Sequence, residues 1–471
     1  TMRLTQKQSS FIEYSGFLDG QLSPLHKLNP AQFFKSLSFL GQSLTRYKAQ
    51  DFWEIDTKRL PSSLAKHRRL ARHFAQQHLT PNIELFDNLA HQKVGHLHPA
   101  AQELLSQAGK AGLMTNMLPA PFGSAAVTDL RFAKAYKSII QIEELATVCA
   151  GQMLLLSAHQ LGIAPIALSG DLKAMWRFLK PMSEDFLQGK PHLFAYAITE
   201  PAAGSDVEDG FGATHNKPRV IAKPYGDGYV LNGTKCFISG GDIAQKITVF
   251  AALENKGFES WTAFVVDANN IGLKAIHTEL KMGMRASTAA ELCFSDAYVA
   301  KEDIVGGLEQ GWALNRSTLN ASRYPVAAMG VGLARRACEL ALDFCCRTTL
   351  ANKPLIAYQD IQLQIAQMIA QTRAMRSLLW QQAHSMQPIQ SEASMSKFYI
   401  TDKAQEVCEM AMMIMGEHAV STSCGIEKLL RDVRLTRIFE GTNQINRLSV
   451  IEDMQPFLLD KINGRNVHIS V

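Results

Sequence analysis

Hydrophobic and polar positions along the chain change period twice. From residue 59 to about 195, apolar residues recur at helical spacing. Leu64, Leu70, Ala71 and Phe74 mark one helix face over residues 62–78, and 99–111 and 129–150 read the same way. Pro119, Pro121 and Gly123 break the chain between the last two. The most apolar run, 153–168, is interrupted by His159 and Gln160, so it reads as a buried helix and not a membrane span. From 196 to about 305, short runs rich in β-branched and aromatic residues take over: 220–222, 229–231, 247–253, 261–266 and 291–294. Turn signals such as Gly226-Asp227-Gly228 and Asn232-Gly233 separate them. The spacing predicts a domain of antiparallel strands, and no long helix alternates with strand as a doubly wound sheet requires. From about 306, long amphipathic stretches return at 311–346, 359–385 and 395–415, the texture of a helical bundle. The predicted organisation is an extension over 1–58, a helical domain over 59–195, a β domain over 196–305 and a helical bundle over 306–471.

The extension differs in character. Up to residue 50 its cations Arg3, Lys7, Lys27, Lys35, Arg46 and Lys48 outnumber Glu13 and Asp19, and Phe33, Phe34, Leu37, Phe39, Leu40 and Leu44 lie among them. It reads as an extra helix packed on the protein's own surface or subunit interface; a membrane-surface or partner-binding segment is the other reading. Composition adds limits. A net charge of +5 over 471 residues is too weak for a nucleic-acid binder, though it suits anionic small molecules. Eight scattered cysteines without a CxxC pair suggest a reduced, cytoplasmic setting. His91, His96 and His98 have no further ligand at metal spacing, so no metal is expected. Lys66, His67, Arg68, Arg69, Arg72 and His73 read as a solvated basic helix face. Gly330-Val331-Gly332-Leu333-Ala334-Arg335 lacks the third glycine and the preceding strand of a dinucleotide fingerprint, so its small residues read as close helix packing. Glu143 and Glu144, adjacent on a helix, cannot face one substrate as an acid–base pair.

Three loops carry candidate chemistry. Residues 196–207, YAITEPAAGSDV, offer small residues for close ligand approach and the hydroxyls of Thr199 and Ser205. Residues 237–241, FISGG, follow a predicted hairpin. Residues 438–445, IFEGTNQI, place one carboxylate before a glycine at a predicted helix-to-helix turn.

Together with NGTKCFISGG, MGMRAS, ASRYPVAAMGVGLARRA and IEKLLRDVR, in that order, these motifs resemble the acyl-CoA dehydrogenase flavoenzyme family over about residues 59–460. The resemblance implies a helical N-terminal domain, a middle antiparallel β-barrel and a C-terminal four-helix bundle around one FAD. Tyr196, Ile198, Thr199, Gly204 and Ser205 would cradle the flavin and pyrophosphate. Phe237 and Ser239 would stand where the family has Trp and Thr against the ring. Arg347, Thr349 and Gln359 would reach the FAD of a neighbouring subunit, with Met413 and Gly416 near the adenine, and Thr442 and Gln444 beyond the catalytic turn. Such sharing implies a homo-oligomer, a dimer or a tetramer. Glu440 matches the family's catalytic base, and Gly441 follows it. Ser205, Asn320 and Arg323 would meet CoA, while Met153 and Ser157 would line a medium to long acyl chain. The implied reaction is α,β-dehydrogenation of an acyl-CoA to a trans-2-enoyl-CoA, with hydride passing to flavin N5. Electrons would then pass to an electron-transferring flavoprotein. A flavin oxidase or monooxygenase on this fold, or a non-catalytic FAD-containing relative, is the alternative. The chain departs from the family pattern at Phe439, Asn320, Leu350-Ala351 and Glu417-His418-Ala419.

Overall fold

Helical periodicity between residues 59 and 195 becomes α1 (Ser62–Phe74), α2 (Pro99–Lys110), α3 (Lys134–Ser157), α4 (His159–Leu168) and α5 (Lys180–Leu187) in the computed structural model. It describes residues 36–44, 52–88, 94–125, 134–208, 210–384 and 389–463. Much of the predicted extension, and His91, lie outside these residues. Leu64, Ala71 and Phe74 of α1 are buried as predicted, but so are His67 and Arg68. Lys66, Arg69 and His73 are exposed as a solvated face requires, so only the His67, Arg68 and Arg72 side of the basic cluster departs from that reading. Glu144 of α3 turns it inward, accepting hydrogen bonds from Arg68 Nε (2.6 Å), Arg72 Nε (2.9 Å) and Arg335 Nη1 (3.1 Å). Buried guanidinium groups persist only with such partners. Glu143 takes a different arginine, Arg376, so the two adjacent acids are structural anchors facing different helices. Helix α3 is broken at Cys149, whose φ of −158° is extended. Residues 135–157 are long and apolar enough to cross a membrane, yet they are buried inside the protein.

The β region forms β1 (Phe194–Ala197), β2 (Ile221–Tyr225), β3 (Gly228–Ser239), β4 (Lys246–Leu253), β5 (Thr262–Asp267), β6 (Leu273–Thr278), β7 (Ala289–Ala300) and β8 (Ile304–Val305). The predicted closed antiparallel barrel does not form. Among the described residues the sheet is open, ordered β6-β7-β3-β2-β4-β5-β8, with β1 added beside β4. Two pairings, β1–β4 and β2–β4, are parallel. Strand β1 packs against α4. A Cβ on Gly162 of α4 would lie 2.6 Å from Phe194 Cβ, so α4 lies directly on this strand. All four β1 residues are buried, which leaves no alternation in the sequence to announce a strand.

The C-terminal region folds into α6 (Gly311–Arg347), α7 (Gln359–Gln382), α8 (Gln390–Met415), α9 (Ile426–Thr436) and α10 (Asn443–Ile462). Helix α6 packs on α3, α7 and α8. The small residues of 330–334 allow this: a Cβ on Gly332 would come within 2.6 Å of the Glu143 carbonyl. Two of the sequence motifs explain each other. Met284 N donates to Asp432 Oδ1, and a Cβ on Gly283 would meet the Arg431 carbonyl at 2.2 Å. MGMRAS is thus clamped onto the RDVR of α9. The end of the extension is also built in. The Trp53 ring lies 5.9 Å from the Arg335 guanidinium and 5.7 Å from that of Arg376, and Asp56 accepts from Arg376 Nη1 at 3.4 Å.

Candidate active site

The turn between α9 and α10 is the most constrained backbone near the candidate base. Glu440 and Gly441 both take left-handed conformations, with φ of 56° and 79°. At Gly441 a side chain is excluded twice: by φ, and because its Cβ would sit 2.6 Å from Glu208 Oε2. At Glu440 the same geometry costs about 1–3 kcal/mol, so the surroundings must hold it. Asn446 Nδ2 donates to the carbonyls of Gly441 (2.9 Å) and Thr442 (3.0 Å). Lys397 Nζ, buried on α8, donates to the Gly441 carbonyl (2.6 Å) and to Asn443 Oδ1 (2.8 Å). Thr442 N donates to Ser205 Oγ at 2.9 Å, tying the turn to the loop after β1. Thr442 Oγ1 caps α10 by accepting from Ile445 N.

The carboxylate so presented accepts a hydrogen bond from Ser322 Oγ on α6, 2.7 Å from its Oε2. Burial pushes the Glu440 carboxyl above its ordinary range, against the Ser322 hydrogen bond and the charges of Lys397 and Arg323. A second acid lies beneath it. Glu208 is buried, and its Oε2 accepts from Arg323 Nη2 at 3.1 Å. Burial pushes Glu208 up to about 7, helped by the charge of Glu440 and opposed by Arg323 and Lys397. Burial pushes Lys397 down to about 7. Arg323, read from the sequence as a cation for CoA, is only 3% exposed. Its Nη1 donates to Asn320 Oδ1 and Ser394 Oγ, both at 3.0 Å. Asn320 and Arg323 thus serve each other and Glu208.

The flavin-side loops are held from behind by another buried ion pair. Lys235 Nζ lies 2.9 Å from Glu200 Oε1 and also donates to the Ile198 carbonyl at 2.7 Å. Glu200 in turn accepts from Arg219 N and Val220 N. Cys236 N donates to the Thr199 carbonyl at 2.9 Å, laying 198–199 against the end of β3. Beyond that bond Phe237, with φ of 57°, turns its ring outward and leaves it 59% exposed. Ile198, Thr199, Gly204, Ser205 and Ser239 are partly exposed alongside. An uncovered aromatic face with hydroxyl donors at its rim fits a flat heteroaromatic cofactor such as the flavin of FAD. Tyr196 turns the other way: its buried hydroxyl donates to Asn315 Oδ1 at 2.5 Å, leaving only its backbone for the loop.

The chain matches three domain families in succession: acyl-CoA dehydrogenase N-terminal domain over residues 63–185, middle domain over 195–297 and C-terminal domain over 309–455. The chain belongs to the acyl-CoA dehydrogenase family. It is 34% identical over 344 residues to the cyclohex-1-ene-1-carbonyl-CoA dehydrogenase of Geobacter metallireducens, covering 72% of this chain and 86% of that protein. It is 30% identical over 388 residues to the caffeyl-CoA reductase-Etf complex subunit CarC of Acetobacterium woodii, covering 81% and 96%. The structure of butyryl-CoA dehydrogenase from Megasphaera elsdenii superposes with a TM-score of 0.74 at 27% identity, covering 87% of this chain and all of that one.

Within this acyl-CoA dehydrogenase fold the structure gathers some predicted site residues and separates others. Glu440, Gly441, Thr442, Ser205, Asn320 and Arg323 meet around one turn. Met153 is fully buried in α3, and Ser157 Oγ donates to its sulfur at 3.3 Å. Arg347, Thr349, Gln359, Met413 and Gln444 are exposed, and Gly416 ends α8 with φ of 56°. Glu208 and Lys397 escaped the sequence reading. Two signals were available: a charged residue inside an otherwise apolar helical pattern at Lys397, and an acid directly after the loop motif at Glu208.

Proposed function

We propose that this oxidoreductase removes the α-proton and β-hydride of an acyl-CoA thioester to give a trans-2-enoyl-CoA, with Glu440 as the general base. The observation that supports this most directly is one partly buried carboxylate on a strained, fully braced turn, with its basicity raised by burial. The cofactor is FAD, which accepts the hydride when bound; Ile198, Thr199, Ser205, Phe237 and Ser239 would hold its ring, and Thr442 and Gln444 its nearer end.

The residues of this chain do the rest. Ser322 aims the Glu440 carboxylate, and Asn446 and Lys397 fix the carbonyls on either side of its turn. Peptide N–H groups of such a fixed turn can serve a thioester carbonyl as the enolate develops. Glu440 then holds the α-proton on its carboxyl. Met153 and Ser157 would bound the acyl tail, and we assign a medium to long chain. Arg347, Thr349, Gln359, Met413 and Gly416 are proposed for the FAD of a neighbouring subunit in a dimer or tetramer. An electron-transferring flavoprotein is the proposed acceptor. The reverse, enoyl-CoA-reducing direction is the second reading, favoured by the reductase subunit among the relatives.

Anaerobic titration of the flavin spectrum with saturated acyl-CoAs tests the assignment. Fastest bleaching with medium to long straight chains is expected. Fastest bleaching with butyryl-CoA or a short branched acyl-CoA contradicts the chain-length assignment.

A further inference from the structure

Two acids and two cations meet at the catalytic turn, and one acid has no part in the reaction just described. Glu208 ends a 3-10 turn over Ser205–Glu208, which brings it under Gly441. From that side its Oε2 reaches Arg323 Nη2 at 3.1 Å and lies 2.6 Å from where a Gly441 Cβ would stand. Lys397 Nζ holds the Gly441 carbonyl at 2.6 Å. The peptide next to the base is therefore clasped between an acid from the loop and a cation from α8. Other groups face this pair. Arg316 of α6 donates to the Glu208 carbonyl, Asp402 lies within electrostatic reach of Lys397, and the Tyr196 hydroxyl of β1 feels both Glu440 and Glu208. Without Glu208, Glu440 would face Arg323 and Lys397 alone, and a carboxylate attracted by two nearby cations is a poor base.

We propose that Glu208 is a positioning residue for this reaction: by taking up Arg323 and backing the Gly441 peptide, it fixes the turn and keeps Glu440 basic. The inference rests on the reading of Glu440 as the base. It carries a pH signature, because burial and the Glu440 charge push Glu208 up to about 7 against Arg323 and Lys397. Below that pH Glu208 is neutral and the charge of Arg323 falls on Glu440, weakening the base. Above it Glu208 is ionised, Arg323 is compensated and the base strengthens. Lys397, pushed down to about 7 by burial, titrates in the same window, so the Glu208 contribution to the pH dependence of flavin bleaching is the difference between profiles with and without its carboxyl.

The test compares wild type with Glu208→Gln in the FAD-loaded enzyme from pH 5.5 to 9. The variant is expected to show a smaller rise in rate across pH 7, to run about fivefold slower at pH 8, and to keep KM nearly unchanged. Infrared titration of the unliganded protein is a second readout: a protonated-carboxyl band should fade near pH 7 in wild type and be missing from the variant. Superimposable rate profiles, or no infrared difference, overturn the proposal. If Glu208→Gln does not fold, the wild-type infrared titration decides, because an amine gives no carboxyl band: the absence of a protonated-carboxyl band fading near pH 7 contradicts the proposal. Full bleaching of Glu440→Gln by acyl-CoA would count against the base assignment instead. Superimposable profiles with Glu440→Gln inactive count against Glu208 alone.

Discussion

Glu440 sits where burial and hydrogen bonding pull in opposite directions. Burial raises the carboxyl, and the Ser322 hydroxyl at 2.7 Å holds it down by binding the ionised form. Ser322→Ala removes the second effect only. The acid limb of the bleaching rate should then move to higher pH by about one unit, the worth of one hydrogen bond to a charged group. A pH–rate profile checks this, and an unmoved or downward-shifted limb contradicts it. At this scale the sequence was most informative where a residue has one chemical use. Glu440, Gly441, Ser205 and Thr442 were legible because the motif carries them together. Arg323 was legible as a cation, but its partner was not. Glu208 is far from it in sequence, and no periodicity reports which buried charge meets which.

Strands were legible where β-branched and aromatic runs lie between turn signals, whether or not burial alternates along them. Strands β2–β5 and β7 declared themselves by β-branched runs between turn signals. Strand β1 lies inside the loop motif, β6 has Ile276 as its one apolar β-branched residue, and β8 is two residues long, so all three were absent from the expected set. Sheet closure was misjudged because strand order and the parallel β1–β4 pairing are set by contacts distant in sequence, which leave no local trace. The loop after β1 depends on such a distant contact. Lys235 of β3 and Glu200 are both wholly buried, and Lys235 also holds the Ile198 carbonyl. Lys235→Met leaves Glu200 charged and alone, which costs about 3–5 kcal/mol. Chemical denaturation should show that loss. Flavin absorbance per mole of protein should fall with it, since the flavin-side loop loses its anchor. Undiminished flavin content would contradict that role for the pair.

Across the whole molecule, the buried arginine network joins α1, α3, α6 and α7. Burial pushes the Glu144 carboxyl up, yet the Arg72 hydrogen bond and the charges of Arg335, Arg68 and Arg72 outweigh it and hold Glu144 down at about 2. A carboxyl whose folded value lies below its ordinary 4.5 contributes stability above that value and loses it as pH falls through about 2. Thermal unfolding temperature should therefore drop over that window in wild type. Glu144→Gln should be less stable at neutral pH, where it strands the buried arginines, and should show a flatter acid response. The same network explains why the helix of Arg68 is a solvated surface on one side only: Lys66, Arg69 and His73 stay exposed, while the opposing helix α3 makes Arg68 interior. Three regions read from hydrophobic period alone survive as two helical regions and a sheet around one turn. That turn carries the central claim. Its most direct test is anaerobic titration of Glu440→Gln, compared with wild type, by a saturated acyl-CoA while the flavin spectrum is recorded. The account predicts that the variant keeps its yellow FAD but is not reduced by substrate, while wild type bleaches; full bleaching of the variant would contradict it.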